Sequence, residues 1–469
     1  MILQALPDFS IQLVGHKNKT RWAFRTETQD EAELLRVEEK RGRGRSLMMN
    51  VAVPEGQQVM KAEAAGAVVR DKAYERACHR CCRGVREGLA IRCDGCKAAY
   101  YCTRRCLSEH ASAQHQYLCQ PLELLHQRKQ GDGKTQDLEA VRLVMDLLAR
   151  WACFPDCAPK QRQLVESLTA HEEGRQVQVL QEALLHSQAL HGLLHPDLLG
   201  QVCQGQDQPG SQSIKRLALL LMRIRYNSYP VDTTGGVMVP QAVLSLFPEA
   251  AMLNHSCQPN VATHSAVCNS GGGSGIKICL VVRSCSPLAA GEELCMSYLQ
   301  DLVKSRVERQ QILKQAFHFD CQCVRCQKEK GAEELPSDGA GSTLLAELAE
   351  TGGAAATLSK ALAWLHAVMK LHSQDQGCSK YLSPEAHDVA MAILNSMADD
   401  IEAKRFAMRV ARLCWEARGL GLLPQCIALI MGEASLSRDG ELARKGATAA
   451  VLALGPHHQV LTACLTWQC

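Results

Sequence analysis

Between positions 78 and 119 the chain places Cys78, Cys81, Cys93, Cys96, Cys102, Cys106, His115 and Cys119 within 42 residues. They fall as two C-x2-C pairs, a C-x3-C pair and an H-x3-C pair. Four close pairs of thiolate or imidazole donors supply two tetrahedra, so the segment is expected to hold two zinc ions. It carries few large apolar residues and could not be held by core burial. Metal binding would supply most of its folding free energy. Cys82 beside Cys81 and His110 before His115 are rival ligands that spacing alone does not exclude.

Twenty-four cysteines would suggest a disulfide framework in a secreted protein. Met1 to Lys17, however, lacks a basic start followed by an apolar stretch, and no signal peptide is expected. No run reaches the roughly 18 apolar residues of a membrane helix, and Cys469, the last residue, does not make a prenylation pattern. A reducing compartment, nucleus or cytoplasm, is therefore expected. The net charge of +3 is too mild to make nucleic acid the main partner. Arg80, Arg83, Arg86, Arg92, Arg104 and Arg105 are interrupted by Glu87, Asp94 and Glu109 and read as a solvated face, which disfavours direct nucleic-acid binding. The length allows two to four domains with ordinary cores.

Residues 1–35 are weakly patterned. A turn at Pro54-Glu55-Gly56 between short β-compatible runs over Val51 to Val69 predicts a hairpin. From about 120 to 226 the period is helical, as in Leu138, Val141, Val144, Met145 and Leu148. Ile214 to Tyr226 is expected as a helix burying Leu217, Leu220, Leu221 and Ile224. Strand texture returns over 227–300, with a β-run at Lys277 to Val282 after the glycine-rich Ser270 to Gly275. Val303 to Gln315 reads as a charged helix, and residues 331–342 as a linker. The remainder is helical, with Leu344, Leu345, Leu348 and Met391, Leu394, Met397 at helical spacing. No clean repeat is found, although helix pairs of this length could stack as a small solenoid.

A second donor set follows the first. Cys321-x-Cys323-x2-Cys326 supplies three thiolates, one short of a zinc tetrahedron, and Cys257 within Asn254-His255-Ser256-Cys257 is the natural fourth. Closing such a site would tie the 321–326 segment back against 254–260 and shape a pocket between them.

The first array resembles a MYND zinc finger, including Tyr100-Tyr101-Cys102 and the His115-x3-Cys119 finish. That resemblance implies interleaved ligation, with Cys78, Cys81, Cys102 and Cys106 on one ion and Cys93, Cys96, His115 and Cys119 on the other. More broadly, the chain resembles the SMYD family, lysine methyltransferases whose SET domain is split by a MYND finger. Its elements stand in the family's order: Arg41-Gly42-Arg43-Gly44, the MYND array, Asn227-Ser228-Tyr229, Asn254-His255-Ser256-Cys257, Gly291-Glu292-Glu293-Leu294, Tyr298 and Phe317-His318-Phe319-Asp320-Cys321. The resemblance implies an α+β fold: a split SET β-domain with an inserted double-zinc finger and helical insert, a post-SET zinc site, and an α-helical, TPR-like C-terminal domain. The implied divisions are an extension at 1–35, SET N-terminal part 36–77, finger 78–119, helical insert 120–226, SET core 227–300, post-SET region 301–330, linker 331–342 and C-terminal helices 343–469.

The same resemblance implies S-adenosylmethionine as cofactor, three structural zinc ions and a protein substrate, histone or other, bearing the target lysine. Tyr298 would be the catalytic tyrosine and would also line the cofactor site with Arg41, Arg43, Asn227, Asn254, His255 and Phe319. Proline-rich peptides would be partners of the finger, no membrane partner is expected, and the protein is expected to act as a monomer. Methyl transfer from a sulfonium needs no covalent nucleophile and no catalytic metal. It needs a neutral amine held in line, and a lysine with an aqueous pKa of about 10.4 loses its proton more readily in a dry channel. Positioning can supply several kcal/mol of the barrier reduction.

Three positions depart from the family pattern. Arg45 stands where an apolar residue usually enters the first strand. Phe317 stands where a second channel tyrosine is common, which predicts a change in the number of methyl groups added. Tyr229 replaces a common phenylalanine. The competing reading is a catalytically weak scaffold whose finger and C-terminal helices bind partner peptides in transcriptional regulation. A pure scaffold has no need of Asn254, His255 and Tyr298 together.

Overall fold

The computed structural model describes residues 34–40, 43–132, 138–156, 158–170, 177–203, 210–233, 239–269, 276–330, 339–374, 382–396, 400–437 and 439–454. They form two compact units: Met1–Val59, Leu253–Thr263 and Val282–Cys469 make the first, and Met60–Met252 with His264–Val281 the second. The expected Ser270–Gly275 loop, nearly all of the 1–35 extension and most of the 331–342 linker lie outside the described residues.

In the first unit, Leu35–Lys40 and Gly44–Met49 form an antiparallel hairpin, in register from Leu35↔Met49 to Lys40↔Gly44. The first strand is rich in charge and largely exposed, whereas Ser46, Leu47, Met48 and Met49 of the second are buried. The free edge of that second strand takes the Glu292–Leu294 segment. Met49 N–H donates to the Glu292 carbonyl at 2.9 Å, and Leu294 N–H to that of Leu47 at 2.8 Å. The hairpin thus lies earlier than the one expected about Pro54-Glu55-Gly56. Val53 pairs instead with Leu288, and the Gly56 N–H reaches the Ser284 carbonyl at 2.9 Å. The Pro-Glu-Gly turn redirects the chain towards partners far along the sequence, which local turn chemistry does not reveal. Asn254–His255 and Cys295–Met296 pair in parallel, Asn254 opposite Cys295 and His255 opposite Met296.

Helix Arg306–Phe317 starts later than the expected Val303 because Ser305 caps it: Ser305 Oγ accepts the Glu308 N–H, and Glu308 returns to the Ser305 N–H at 3.0 Å. Further on come helices Ala340–Thr351, Ala355–Gln374, Pro384–Ser396, Ile401–Glu416, Pro424–Ser437 and Gly440–Leu454, and each of the last three packs on its predecessor. Their core includes Leu348, Leu365, Ile393, Val410 and Trp415 and is continuous with Cys257, Leu302, Val303, Leu313 and Cys326. Within Pro384–Ser396 the buried face is Ala386, Val389, Ala390 and Ile393, while Met391 and Leu394 are half-buried. Met397 lies outside the described residues.

The second unit holds the cysteine-rich segment, with a short hairpin of Ile91–Arg92 and Tyr100–Tyr101 and helix Arg104–Ala111, whose N-terminus is capped by Thr103. Helix Leu138–Cys153 is buried along most of its length, and Ser211–Asn227 buries Leu217, Leu220, Leu221 and Ile224 as its period predicts. Asp146 of the first of these accepts the Ala67 N–H at 2.9 Å and Arg150 Nε at 2.7 Å. Gly66–Val69 and Ser228–Val231 flank Val243–Leu246 in one antiparallel sheet, and a second sheet has Ile276–Ser284 between Val261–Asn269 and Gln58–Glu63. No described helix is long and apolar enough to cross a membrane.

Gly56 locks the first unit against its last described helix. Its φ is +78°, and a Cβ there would stand 2.7 Å from Leu452 Cδ2 and 3.3 Å from Leu452 Cα. Gly56→Ala is expected to cost about 2 kcal/mol through backbone strain and overpacking, read as a lowered midpoint in chemical unfolding. An unchanged midpoint would refute that packing.

Candidate active site and metal centres

The thiols of Cys257, Cys321, Cys323 and Cys326 converge, all four Sγ atoms lying within 4.8 Å of one another. Cys257 Sγ is 3.5 Å from Cys326 Sγ. Thiolates bound at ~2.3 Å to one tetrahedral ion stand ~3.8 Å apart, whereas a disulfide needs ~2.05 Å. The spacing fits a shared ion. The surrounding helices hold the cluster from several sides. Gln310 grips Cys321 twice, donating to its carbonyl at 2.7 Å and accepting its N–H at 2.8 Å. Arg325 reaches the carbonyls of Cys257 (3.1 Å) and Leu302 (2.8 Å). Arg309, only 1% exposed, pairs with Glu329 and the Lys304 carbonyl and lies 3.9 Å from Cys326 Sγ, a positive charge beside the thiols.

Immediately before Cys257, the chain holds Tyr298. The phenol donates to the Leu253 carbonyl at 2.7 Å, and the Tyr298 N–H donates to His255 Nδ1 at 3.0 Å. His255 is buried, and burial lowers its pKa to about 4, so the ring is neutral near pH 7. Burial also pushes the Tyr298 phenol well above its ordinary value, helped by Cys295 and Glu293 and opposed by Arg43. It is therefore a neutral hydroxyl. The Phe317 ring lies 4.9 Å from that of Tyr298, and Phe319 lies 6.4 Å from Tyr298 and 6.0 Å from His255.

Glu293 organises the other side. Its carboxylate takes Lys40 Nζ at 2.9 Å, Arg43 Nη1 at 3.4 Å and Asn254 Nδ2 at 3.0 Å. Burial would raise its pKa, but Lys40, Asn254 and Arg43 outweigh that and hold it below the usual value. Arg43 Nη2 also reaches the His255 carbonyl at 3.4 Å. Asn254 Nδ2 further contacts Ser46 Oγ at 2.9 Å and the Arg45 carbonyl at 3.2 Å.

In the second unit the donors gather as Cys78, Cys81, Cys102 and Cys106, and as Cys93, Cys96, His115 and Cys119, each set within 4.8 Å. Contacts of 3.6 Å (Cys81–Cys102, Cys102–Cys106) and 3.7 Å (Cys93–Cys119, Cys96–His115 Nε2) repeat the tetrahedral spacing. Cys82 and His110 stand outside both sets; His110 Nδ1 is 3.1 Å from the Tyr101 hydroxyl. Asp301, His387 and Asp388 also cluster. There Trp415 Nε1 donates to His387 Nε2 at 3.2 Å, which leaves the neutral ring's proton on Nδ1, facing the carboxylates. A protonated nitrogen is no ligand.

Residues 44–299 match the family model described as SET domain, more than half of the 469 residues. The chain belongs to the SET domain family. Its relatives place it with the SMYD proteins that its motifs resemble. It is 26% identical over 61% of its length to N-lysine methyltransferase SMYD2-B of Danio rerio, covering 58% of that protein. It is 25% identical over 65% of its length to histone-lysine N-methyltransferase ASHR2 of Arabidopsis thaliana, covering 75%. To histone-lysine N-methyltransferase Smyd1 of Mus musculus it is 26% identical over 63%, covering 56%. The match thus spans a little over half the length of the two SMYD relatives. A solved structure, the SET domain of LSMT bound to lysine and AdoHcy, aligns over 98% of each chain with 11% identity and a TM-score of 0.28, too weak a likeness to argue from.

Of the SET-family residues read from the motifs, Arg43, Asn254, His255, Tyr298 and Phe319 come together in the first unit. Arg41 lies outside the described residues. Asn227 belongs to the second unit, where its Nδ2 donates to the carbonyls of Thr169 (2.9 Å) and Arg223 (2.8 Å). The Tyr229 hydroxyl donates to the Ala250 carbonyl at 2.9 Å. Sequence reasoning missed the organising roles of Leu253, Glu293, Arg309, Gln310 and Arg325. Only Glu293 carried a signal, inside Gly291-Glu292-Glu293-Leu294.

Gly95 tests the second donor set of the 78–119 segment. A Cβ at this position would stand 2.8 Å from Cys119 Sγ and 3.7 Å from Cys93 Sγ. Gly95→Ala should displace Cys119 and weaken metal retention there by about 10- to 100-fold, measured by chelator competition. Unchanged retention would show that the two sulfurs do not share an ion.

Proposed function

We propose that this chain is a protein-lysine N-methyltransferase of SET type that uses S-adenosylmethionine and carries three structural zinc ions. Residues 78–119 act as a MYND finger carrying two of the ions, inserted between the halves of the SET domain. The third ion sits on Cys257, Cys321, Cys323 and Cys326, and the C-terminal helices form a TPR-like domain. The observation that carries the reading is Tyr298, a neutral phenol fixed on the Leu253 carbonyl amid Phe317, Phe319 and His255.

S-adenosylmethionine supplies an electrophilic methyl group on a sulfonium. In the first unit Arg43, Asn254, the His255 backbone and Phe319 would hold it, Phe319 offering an aromatic face to the adenine. The Tyr298 proton is committed to Leu253, so towards substrate the phenol presents lone pairs. These accept an N–H of the incoming amine and orient its own lone pair towards the methyl group. The rings of Phe317 and Phe319 beside Tyr298 would favour the neutral amine by lowering the local polarity. The substrate is a protein lysine, on a histone or another protein of the nucleus or cytoplasm.

Tyr298→Phe should lower methyl transfer by ~100-fold or more while S-adenosylhomocysteine binding, measured by calorimetry, stays within a few-fold. Tight cofactor binding by the unaltered protein with no transfer to any of a mixed set of proteins would instead favour the scaffold reading. Phe317→Tyr should restore a hydroxyl beside Tyr298 and shift the product towards fewer methyl groups. Intact-mass spectrometry reads this directly, and strictly monomethylated product from the unaltered enzyme would contradict it.

A further inference from the structure

Tyr298 is held at both ends by one short segment. Its hydroxyl donates to the carbonyl of Leu253, and its backbone N–H donates to the ring of His255. The next contact leads away from the tyrosine. His255 Nε2 lies 3.3 Å from Cys257 Sγ. Because Nδ1 accepts a backbone N–H, it carries no proton, and the neutral ring must bear its proton on Nε2. That proton points at the sulfur. The His255 side chain, 3% exposed, is thus engaged internally at both nitrogens, so any contact it makes with a cofactor falls to its backbone.

We propose that the His255 imidazole is a positioning residue that couples the third metal centre to Tyr298, so that an ion gripping Cys257 sets where the tyrosine stands. The proposal rests on the methyltransferase reading for its catalytic consequence only. A thiolate on zinc keeps lone pairs that accept N–H donors, and such outer contacts steady the ligand. The same ring then transmits the ligand's position to the Tyr298 amide through a rigid, planar link. Leu253, His255 and Cys257 lie within five residues of one another, with Asn254–His255 held in strand pairing between the two ends. The parallel pairing of Asn254–His255 with Cys295–Met296 fixes the backbone but not the Tyr298 N–H, whose acceptor is the imidazole.

Two substitutions separate the two ends of the link. His255→Asn keeps an acceptor near the Nδ1 position but cannot reach Cys257. His255→Gln reaches the Nε2 position with an N–H but withdraws the acceptor from Tyr298. In the full-length protein, His255→Asn should release zinc to a chelator about 10- to 100-fold more readily. Added zinc should then restore methyl transfer from tritiated S-adenosylmethionine to mixed histones. His255→Gln should retain its zinc and its affinity for S-adenosylhomocysteine while kcat falls, and added zinc should not rescue it. Equal behaviour of the two variants in both assays would overturn the proposal. If neither variant folds, nitrogen-15 spectra of histidine-labelled unaltered protein decide: a protonated Nε2 and bare Nδ1 support the link, and the opposite tautomer overturns it. Failure of the unaltered protein to bind S-adenosylhomocysteine would sink the methyltransferase reading alone, since zinc release and the tautomer still judge the link.

Discussion

The convergence of Cys257 with Cys321, Cys323 and Cys326 is the constraint on which the first unit depends. It closes a loop of more than sixty residues, and it fixes the end of the segment that holds Tyr298. Four thiols converge beside Arg309, which is almost fully buried and paired with Glu329. A bound metal ion would turn the four thiols into a cross-link whose binding free energy is available for folding. Around it, Gln310 and Arg325 satisfy backbone groups of Cys257, Leu302 and Cys321, which lie outside helix and strand.

From this anchor the chemistry is organised in layers. The cluster positions Cys257, the segment before it carries His255 and Leu253, and these hold the tyrosine. On the opposite flank, Glu293 gathers Lys40, Arg43 and Asn254 into a charged lattice beside the hairpin. The C-terminal helices share their apolar core with the cluster, so they brace the site rather than trail from it.

Much of this was legible because metal ligation is written in residue types and short spacings. C-x2-C, C-x3-C and H-x3-C pairs need no long-range information, and the structure gathers the eight finger donors in the interleaved pattern that the family resemblance implied. The Cys257 partnership with a distant hook was also readable, because three thiolates imply a fourth. The amphipathic helix Ser211–Asn227 followed from its period. Other features left no trace in side-chain identity. A leucine carbonyl as acceptor for Tyr298 is a backbone matter, and the imidazole of His255 engages a main-chain N–H and a sulfur rather than a ligand. The early hairpin was missed because the Pro54-Glu55-Gly56 turn outranks it in local signal, while the true pairings of Val53 and Gly56 lie with Leu288 and Ser284. Asn227 was assigned by motif alone, and its side chain closes the end of its own helix.

The most direct test substitutes Cys257 by serine and counts zinc in the purified full-length protein. Among the described residues the four-thiol cluster is one of three cysteine-built donor sets, so the count should fall from three ions per chain to two, with S-adenosylhomocysteine binding lost in the same sample. Three ions retained, or binding undiminished with two, would contradict an active site built on that cluster.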